Sequence, residues 1–400
     1  MYTEQSMKSL FVLGRQPTLG IAELESLLGA DHVAPFDGFA LSDIPAQDIP
    51  FDRLGGSVKV CDVIDTQVSA DWRVLEKTLL RVVPERAQQL AEGKLHLGLS
   101  VYGVNVGLKD VQATALRLKK AIRAKTDQTV RVAPNNELAL STAQVLHNKL
   151  VSAQGIEIVL VQHGTNVHVA QTVREQDINA YARRDQNRPK RDARVGMLPP
   201  KLAQMIINLA AGKSGSGKQL TVLDPFCGTG VILQEAALMG HDVYGSDLEA
   251  RMIEYSAANL EWLNETHKLP KIEATLQTGD ATKHRWDEHF DFVACEGYLG
   301  QPFSGFPSEA KLREVTHTCN QIAKGFLKNI AEQMPAGTRL CVALPAWQRS
   351  NGRFEHLKLL DQLDELGYNR IDLKHVRTEE LLYYRPDQVV ARELLVITRK

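Results

Sequence analysis

The strand-like run LTVLD ends in Asp224, and the loop Pro-Phe-Cys-Gly-Thr-Gly230 then opens VILQEAALM, whose apolar spacing predicts a helix. Gly228 and Gly230 permit close backbone approach by a ligand, the helix N-terminus favours a carboxylate, and Asp224 supplies a fixed negative charge. A ligand with both an amino-acid end and a cationic centre suits that combination. The next two strands also end in acids. Asp247 closes DVYGSD, where a carboxylate accepts both hydroxyls of a ribose, and Asp280 follows QTG, within reach of an adenine amine. Each aspartate alone serves as readily as a helix cap. Three acidic strand ends in order, the first in a D-x-F-x-G-x-G frame, match S-adenosylmethionine.

A second glycine-rich loop lies just upstream. GKSGSGKQ, Gly212 to Gln219, has the G-x-x-x-x-G-K spacing of a phosphate-binding loop, but Gln219 stands where a metal-binding hydroxyl belongs. It leaves a helix and enters a strand, the reverse of what a phosphate loop requires. It reads as a surface connection. At the end of the fourth strand, FDFVACEGYLGQPF, Glu296 occupies the acidic position of the Asp/Asn-Pro-Pro-Tyr/Phe stretch of amino-methylating enzymes. An acceptor there orients the lone pair of an exocyclic amine, and an aromatic ring stacks on the base. Gly297 and Tyr298 replace the prolines and Leu299 the aromatic, so Tyr298 or Phe303 is the stacking candidate. Cys295 is a candidate nucleophile by type, but its strand-interior setting reads as a buried thiol.

These residues need a doubly wound sheet behind them. From Lys201 onward helices alternate with strands, which predicts a mainly parallel sheet with helices on both faces, a helix after RLCVALPAW, and a terminal hairpin in LLYYRPDQVVARELLVITR. Upstream, SLFVLG and TLGIAELESLLGA predict a small α/β unit over 1–70. Residues 71–178 predict a second α/β module with a basic helix, DVQATALRLKKAIRAK, and two strands around the turn HGTN. Residues 179–200 carry Arg183, Arg184, Arg188, Lys190, Arg191 and Arg194 in one polar run. That run is a solvated linker or a strip contacting RNA phosphates.

With 400 residues, 44% hydrophobic and 24% charged, the chain reads as a multi-domain globular protein. A net charge of -1 makes no case for nucleic acid by itself. The five cysteines are scattered and never spaced as CxxC, which argues against disulfides and a zinc site. No stretch approaches the roughly 20 apolar residues of a membrane helix, and the first residues lack the pattern of a signal peptide. A cytoplasmic protein without a metal or a membrane partner is expected.

The whole chain resembles the THUMP-domain RNA methyltransferases, especially those that methylate N2 of the guanosine at position ten of tRNA. FVLGRQPTLGIAELESLLG resembles their ferredoxin-like N-terminal unit, 71–178 their THUMP domain, and YARRDQNRPKRDARVGMLPPKLAQMIINLA their join into a class I Rossmann-like methyltransferase domain, 201–400. The resemblance implies S-adenosylmethionine as cofactor, held by Asp224, Phe226, Gly228, Gly230, Asp247 and Asp280. It further implies catalytic roles for Glu296 and Tyr298 on a flipped guanine, and tRNA or another structured RNA as partner. Ribosomal RNA as substrate, a small activating subunit, and a non-catalytic RNA-binding protein with a decayed methyltransferase domain remain open alternatives.

Overall fold

The computed structural model describes residues 7–192, 198–215, 217–267, 269, 272–301, 303, 305–349, 352–386 and 388–400. The chain forms two compact units. The first comprises residues up to 15, 31–52 and 57–179; the second comprises 16–30, 53–56 and 180–400.

In the first unit, runs rich in β-branched and aromatic residues form β1 (Ser9–Leu13), β2 (Val33–Phe36), β3 (Phe39–Ser42), β4 (Ser57–Gln67), β5 (Leu95–Tyr102), β6 (Val130–Val132), β7 (Gly155–His163) and β8 (Asn166–Glu175). They make one sheet in the order β2-β3-β1-β4-β8-β7-β5-β6. Alternation along β7 sets its faces. Ile156, Ile158 and Leu160 share an apolar cluster with Leu75, Leu79, Val111 and Leu118 of two helices, residues 72–87 and 108–126. Glu157 lies on the opposite face, where its carboxylate takes the Lys59 ammonium at 2.6 Å and the hydroxyls of Ser100 at 2.6 Å and Thr172 at 2.5 Å. The sheet runs across the boundary expected near residue 70, because β4 pairs antiparallel with β8 from Lys59↔Glu175 to Gln67↔Val167. Segments 1–70 and 71–178 therefore share one sheet instead of forming two separate bodies.

The second unit begins with a borrowed helix, α1 (Pro17–Leu28), with Pro17 at its first turn and Gly29 (φ 97°) ending it. In chain order the helices of the first unit follow as α2 (Trp72–Ala87), α3 (Leu108–Thr126) and α4 (Thr142–His147); α5 (Ile178–Gln186) starts two residues before the 180–400 segment of the second unit, and α6 (Pro200–Ala211), α7 (Val231–Leu238), α8 (Ala250–His267) and α9 (Glu309–Ala331) lie within it. Leu19 and Ala22 of α1 enter the same core as Leu202 and Ile206 of α6. Buried Glu23 accepts the N–H groups of Gly55 (2.9 Å) and Gly56 (2.8 Å) and the Asn208 amide (2.7 Å), while burial pushes its carboxyl up to about 7.

The strands of this unit are β9 (Thr221–Asp224), β10 (Asp242–Asp247), β11 (Ala274–Thr278), β12 (Phe292–Glu296), β13 (Arg339–Gln348), β14 (Phe354–Glu355), β15 (Tyr368–Arg370), β16 (Leu382–Tyr383) and β17 (Val390–Arg399). Their order is β11-β10-β9-β12-β13-β17-β15, with β14 on β13 and β16 on β17. The first five are parallel and β17 is antiparallel to β13. One apolar cluster joins the sheet to α6, α7 and α8, and a second joins it to α9, so both faces are covered. The helix expected after RLCVALPAW is a 3-10 turn, Lys358–Gln362, because β15 starts at Tyr368 and leaves little room for more. Among the described residues no helix is long and apolar enough to cross a membrane.

Candidate active site

In a parallel sheet every strand delivers its C-terminal residue to one edge, and ligands bind where neighbouring strands leave in opposite directions. β9 is that point, with β10 on one side and β12 on the other. Asp247, Asp224 and Glu296 are the last residues of β10, β9 and β12, and Asp280 follows the end of β11 by two, so the four acids stand along one edge in sheet order.

The loop after β9 is held from behind. Gly228 (φ 52°) and Gly230 (φ 79°) are left-handed, Ser256 of α8 donates its hydroxyl to the Gly228 carbonyl at 2.9 Å, and Asn259 donates to the Thr229 carbonyl at 2.8 Å. Asp247 accepts the Gly228 N–H at 2.9 Å and the Glu249 N–H at 3.0 Å. Asp224 is only 2% exposed and accepts the Phe226 N–H at 3.2 Å. Burial pushes its carboxyl well above the usual carboxylate range, and the Asp247 and Glu296 charges add to the effect. A buried acid under such a load is stabilised by a cationic ligand. Burial likewise raises Asp247, against its backbone N–H bonds. Asp280 is held low, chiefly by the Thr282 hydroxyl at 2.7 Å, and pairs with Lys283 at 3.4 Å. The Gly279 N–H donates to the Asp247 carbonyl at 2.8 Å, which ties the ends of β11 and β10 together. Phe226 packs edge-on against Phe326 of α9, with centroids 5.1 Å apart.

Glycine at 230 is required by space as well as by φ. A Cβ there would lie 2.8 Å from the Ser256 hydroxyl. Gly230→Ala is expected to destabilise the protein by about 1–3 kcal/mol through left-handed strain and to weaken cofactor binding at least tenfold. Thermal unfolding with calorimetric titration checks both, and unchanged affinity would remove the loop from the site.

Glu296 is 15% exposed at its side chain, and the following N–H, from Gly297, donates to Ala343 at 3.0 Å. Its carboxylate accepts the Arg392 Nε–H from β17. Tyr298 is 47% exposed, whereas Phe303 packs partly against the core. Tyr298 is thus the ring offered to solvent. Cys295 is fully buried, and burial raises its thiol well above the ordinary range, which leaves no thiolate for nucleophilic chemistry. Among the described residues no group of three or more His, Cys, Asp or Glu could hold a metal ion.

The basic run divides. Arg184 is buried in a bidentate pair with Glu235 of α7, at 2.7 and 3.2 Å, and Arg188 is 3% exposed with Asp185 at 3.9 Å. Neither reaches an RNA phosphate without abandoning a buried position, which corrects the expectation for these two. Arg183, Lys190 and Arg191 are exposed, Lys190 lies 5.5 Å over the Tyr255 ring, and Arg194 falls outside the described residues. The Lys190 backbone and the Thr229 carbonyl both bond Asn259, so the run is splinted to the glycine loop. In the upstream glycine-rich loop, Gly212 caps α6 and Gly212–Gly215 form a 3-10 turn, while Ser216 falls outside the described residues.

Ser256, Asn259 and Arg392 were not anticipated. Two polar residues one turn apart on the inner side of ARMIEYSAANLEWLN, and a charge pair inside VVARELLVITR, are the signals that mark them.

Sheet order, glycine loop and acidic edge define a class I Rossmann-like methyltransferase fold, and a family profile for the RMKL-like methyltransferase domain matches residues 188–329. The tRNA (guanine(10)-N2)-dimethyltransferase of Methanothermobacter thermautotrophicus is 34% identical over 152 residues, 38% of this chain and 39% of that protein. A probable tRNA (guanine(10)-N2)-dimethyltransferase of Methanothermococcus thermolithotrophicus is 30% identical over 126 residues, 31% of this chain and 74% of that protein. The crystal structure of TrmN from Thermus thermophilus superposes with a TM-score of 0.50 at 16% identity, over 98% of this chain and 100% of that one, a likeness of fold. The chain belongs to the family of these dimethyltransferases, and its match spans about two-fifths of the length of the Methanothermobacter relative.

Proposed function

We propose that the protein methylates the N2 amine of a guanosine in tRNA, with S-adenosylmethionine as methyl donor. The observation that carries this reading is the acidic edge in sheet order, Asp280-Asp247-Asp224-Glu296, beside a glycine loop whose carbonyls are tied back by Ser256 and Asn259. The cofactor supplies an electrophilic methyl on a sulfonium: the amine lone pair forms the N–C bond as the S–C bond breaks with its electrons left on sulfur, and one amine proton departs.

The chain's own residues do the rest. Asp247 binds the ribose hydroxyls, Asp280 orients the adenine amine, and Asp224 offsets positive charge. Glu296 accepts the hydrogens of the flipped guanine amine, aims its lone pair and takes the departing proton toward solvent, while Tyr298 stacks on the base. The first unit, as ferredoxin-like and THUMP segments, grips the RNA through shape and phosphate contacts, to which exposed Lys120, Arg123 and Lys125 of α3 contribute. In the second unit, exposed Arg183, Lys190 and Arg191 offer phosphate contacts of their own.

The test is methyl transfer from labelled cofactor to tRNA and ribosomal RNA transcripts, followed by nucleoside mass spectrometry. N2-methylguanosine in tRNA is expected. Label in ribosomal RNA alone would change the substrate, and no cofactor binding at millimolar concentration by calorimetry would overturn the enzymatic reading.

A further inference from the structure

The acceptor proposed above carries a partner from the far side of the sheet. β12 ends with Glu296 opposite Ala343 of β13, and β13 pairs Ala343 with Leu394 and Pro345 with Arg392 of β17. Arg392 therefore lies two residues beyond the end of β12, about 7 Å at strand rise, and its side chain comes back to the Glu296 carboxylate. Pro345, opposite Arg392, falls between the last residue of β13 paired with β12 and Trp347, the first paired with β14. A missing N–H breaks no ladder on that side of β13. Tyr383 of β16 stands opposite Arg392 on its other flank. Both members of the pair are largely buried, at 11% and 15% side-chain exposure.

Glu296 needs such a partner. A glutamate has one more rotatable bond than the aspartate usual at this position, and Gly297 replaces a rigid proline. Space does not demand that glycine, since an added Cβ would meet nothing closer than 3.5 Å. We propose that Arg392 is a positioning residue that clamps the Glu296 carboxylate, so that the pair favours the paired N1–H and N2–H donors of guanine over the donor-acceptor edge of adenine. The guanidinium bond at one oxygen fixes the carboxylate plane. Two acceptors side by side suit the guanine edge and repel the N1 lone pair of adenine, a discrimination that includes a repulsive element.

The inference rests on the proposed methylation, and the experiment separates the two. Single-turnover methyl transfer to a tRNA transcript is measured for the full-length protein and its Arg392→Ala, Arg392→Lys, Glu296→Gln and Glu296→Gln/Arg392→Ala variants, with melting curves as a control for folding. Arg392→Ala is expected to slow transfer on the order of 100-fold, the scale of a small misplacement, with cofactor affinity within twofold of wild type. Arg392→Lys should recover part of the rate, because a point charge replaces a planar fork. The double variant should be no slower than Glu296→Gln alone. A second readout needs no turnover: with S-adenosylhomocysteine present, wild type should bind a transcript with guanosine at the target more tightly than one with inosine there, which lacks the amine, and Arg392→Ala should lose that difference. Wild type that methylates guanosine while Arg392→Ala keeps its rate within twofold, or a fully additive double variant, overturns the clamp alone. Wild type that shows neither transfer nor the guanosine preference overturns both readings.

Discussion

Glu296→Ala is expected to lower the rate of methyl transfer by a factor on the order of 10² to 10⁴, the usual contribution of a positioned proton acceptor. Cofactor affinity should hold, because the loop, Asp247 and the anchors Ser256 and Asn259 lie on other elements. The alanine variant also strands the Arg392 guanidinium, whose side chain is largely buried, and an unpaired buried charge destabilises the sheet as well. Glu296→Gln separates these effects. It keeps the shape and one acceptor oxygen for Arg392, but sets an NH₂ donor against the donor edge of guanine. A rate loss in the glutamine variant with unchanged melting assigns the effect to chemistry. Full activity in either variant would show that another group receives the amine hydrogens.

Lys59→Met is expected to cost about 3–5 kcal/mol of unfolding free energy, the scale for leaving one member of a buried pair behind. Lys59 and Glu157 are almost wholly enclosed, and Glu175 lies 3.5 Å from the same ammonium. Burial alone would lower the Lys59 ammonium, but the charges of Glu157, Tyr102 and Glu175 and the hydrogen bond to Glu157 together overcome it and hold the ammonium above its ordinary value. Burial also pushes Glu175 up to about 7, against the pull of Lys59. A carboxyl raised on folding contributes stability at low pH and loses it as pH rises through its folded value. The damage in Lys59→Met should therefore deepen from mildly acidic to neutral pH, as the abandoned Glu175 is forced toward ionisation. Urea unfolding across that range is the measurement. A second change, Glu157→Gln, should return much of the loss, and a cost below about 1 kcal/mol would show that the cluster is wetter than its burial indicates.

The catalytic sheet was legible because its strands are apolar runs that end in acids, and its helices repeat at 3.6 residues. Asp224, Asp247, Asp280 and Glu296 could be placed from one dimension, since parallel topology sends every strand end to the same edge. Arg392 could not. It reaches Glu296 across 96 residues of sequence and one intervening strand, a pairing that only sheet order creates. The basic run misled in a different way. Composition records six cations in 183–194 but not which way each faces, and Glu235, sitting in the apolar helix VILQEAALM, is what draws Arg184 inward. The boundary near residue 70 followed a change of pattern along the chain, yet β4 and β8 pair across about a hundred residues. Local periodicity carries no trace of such a partner.

The backbone passes between the two units at 15/16, 30/31, 52/53, 56/57 and 179/180, five times in all. A protein joined by a single tether can be shuffled: either half can be cut away, fused elsewhere or exchanged for a homologue. This one is stitched. A catalytic fragment starting at residue 180 would lack α1, exposing the apolar surface of α6 that Leu19 and Ala22 cover and removing the Glu23 carboxylate bonded to Asn208. The core of the second unit is therefore complete only with residues 16–30 and 53–56, which precede the start of such a fragment by more than a hundred positions.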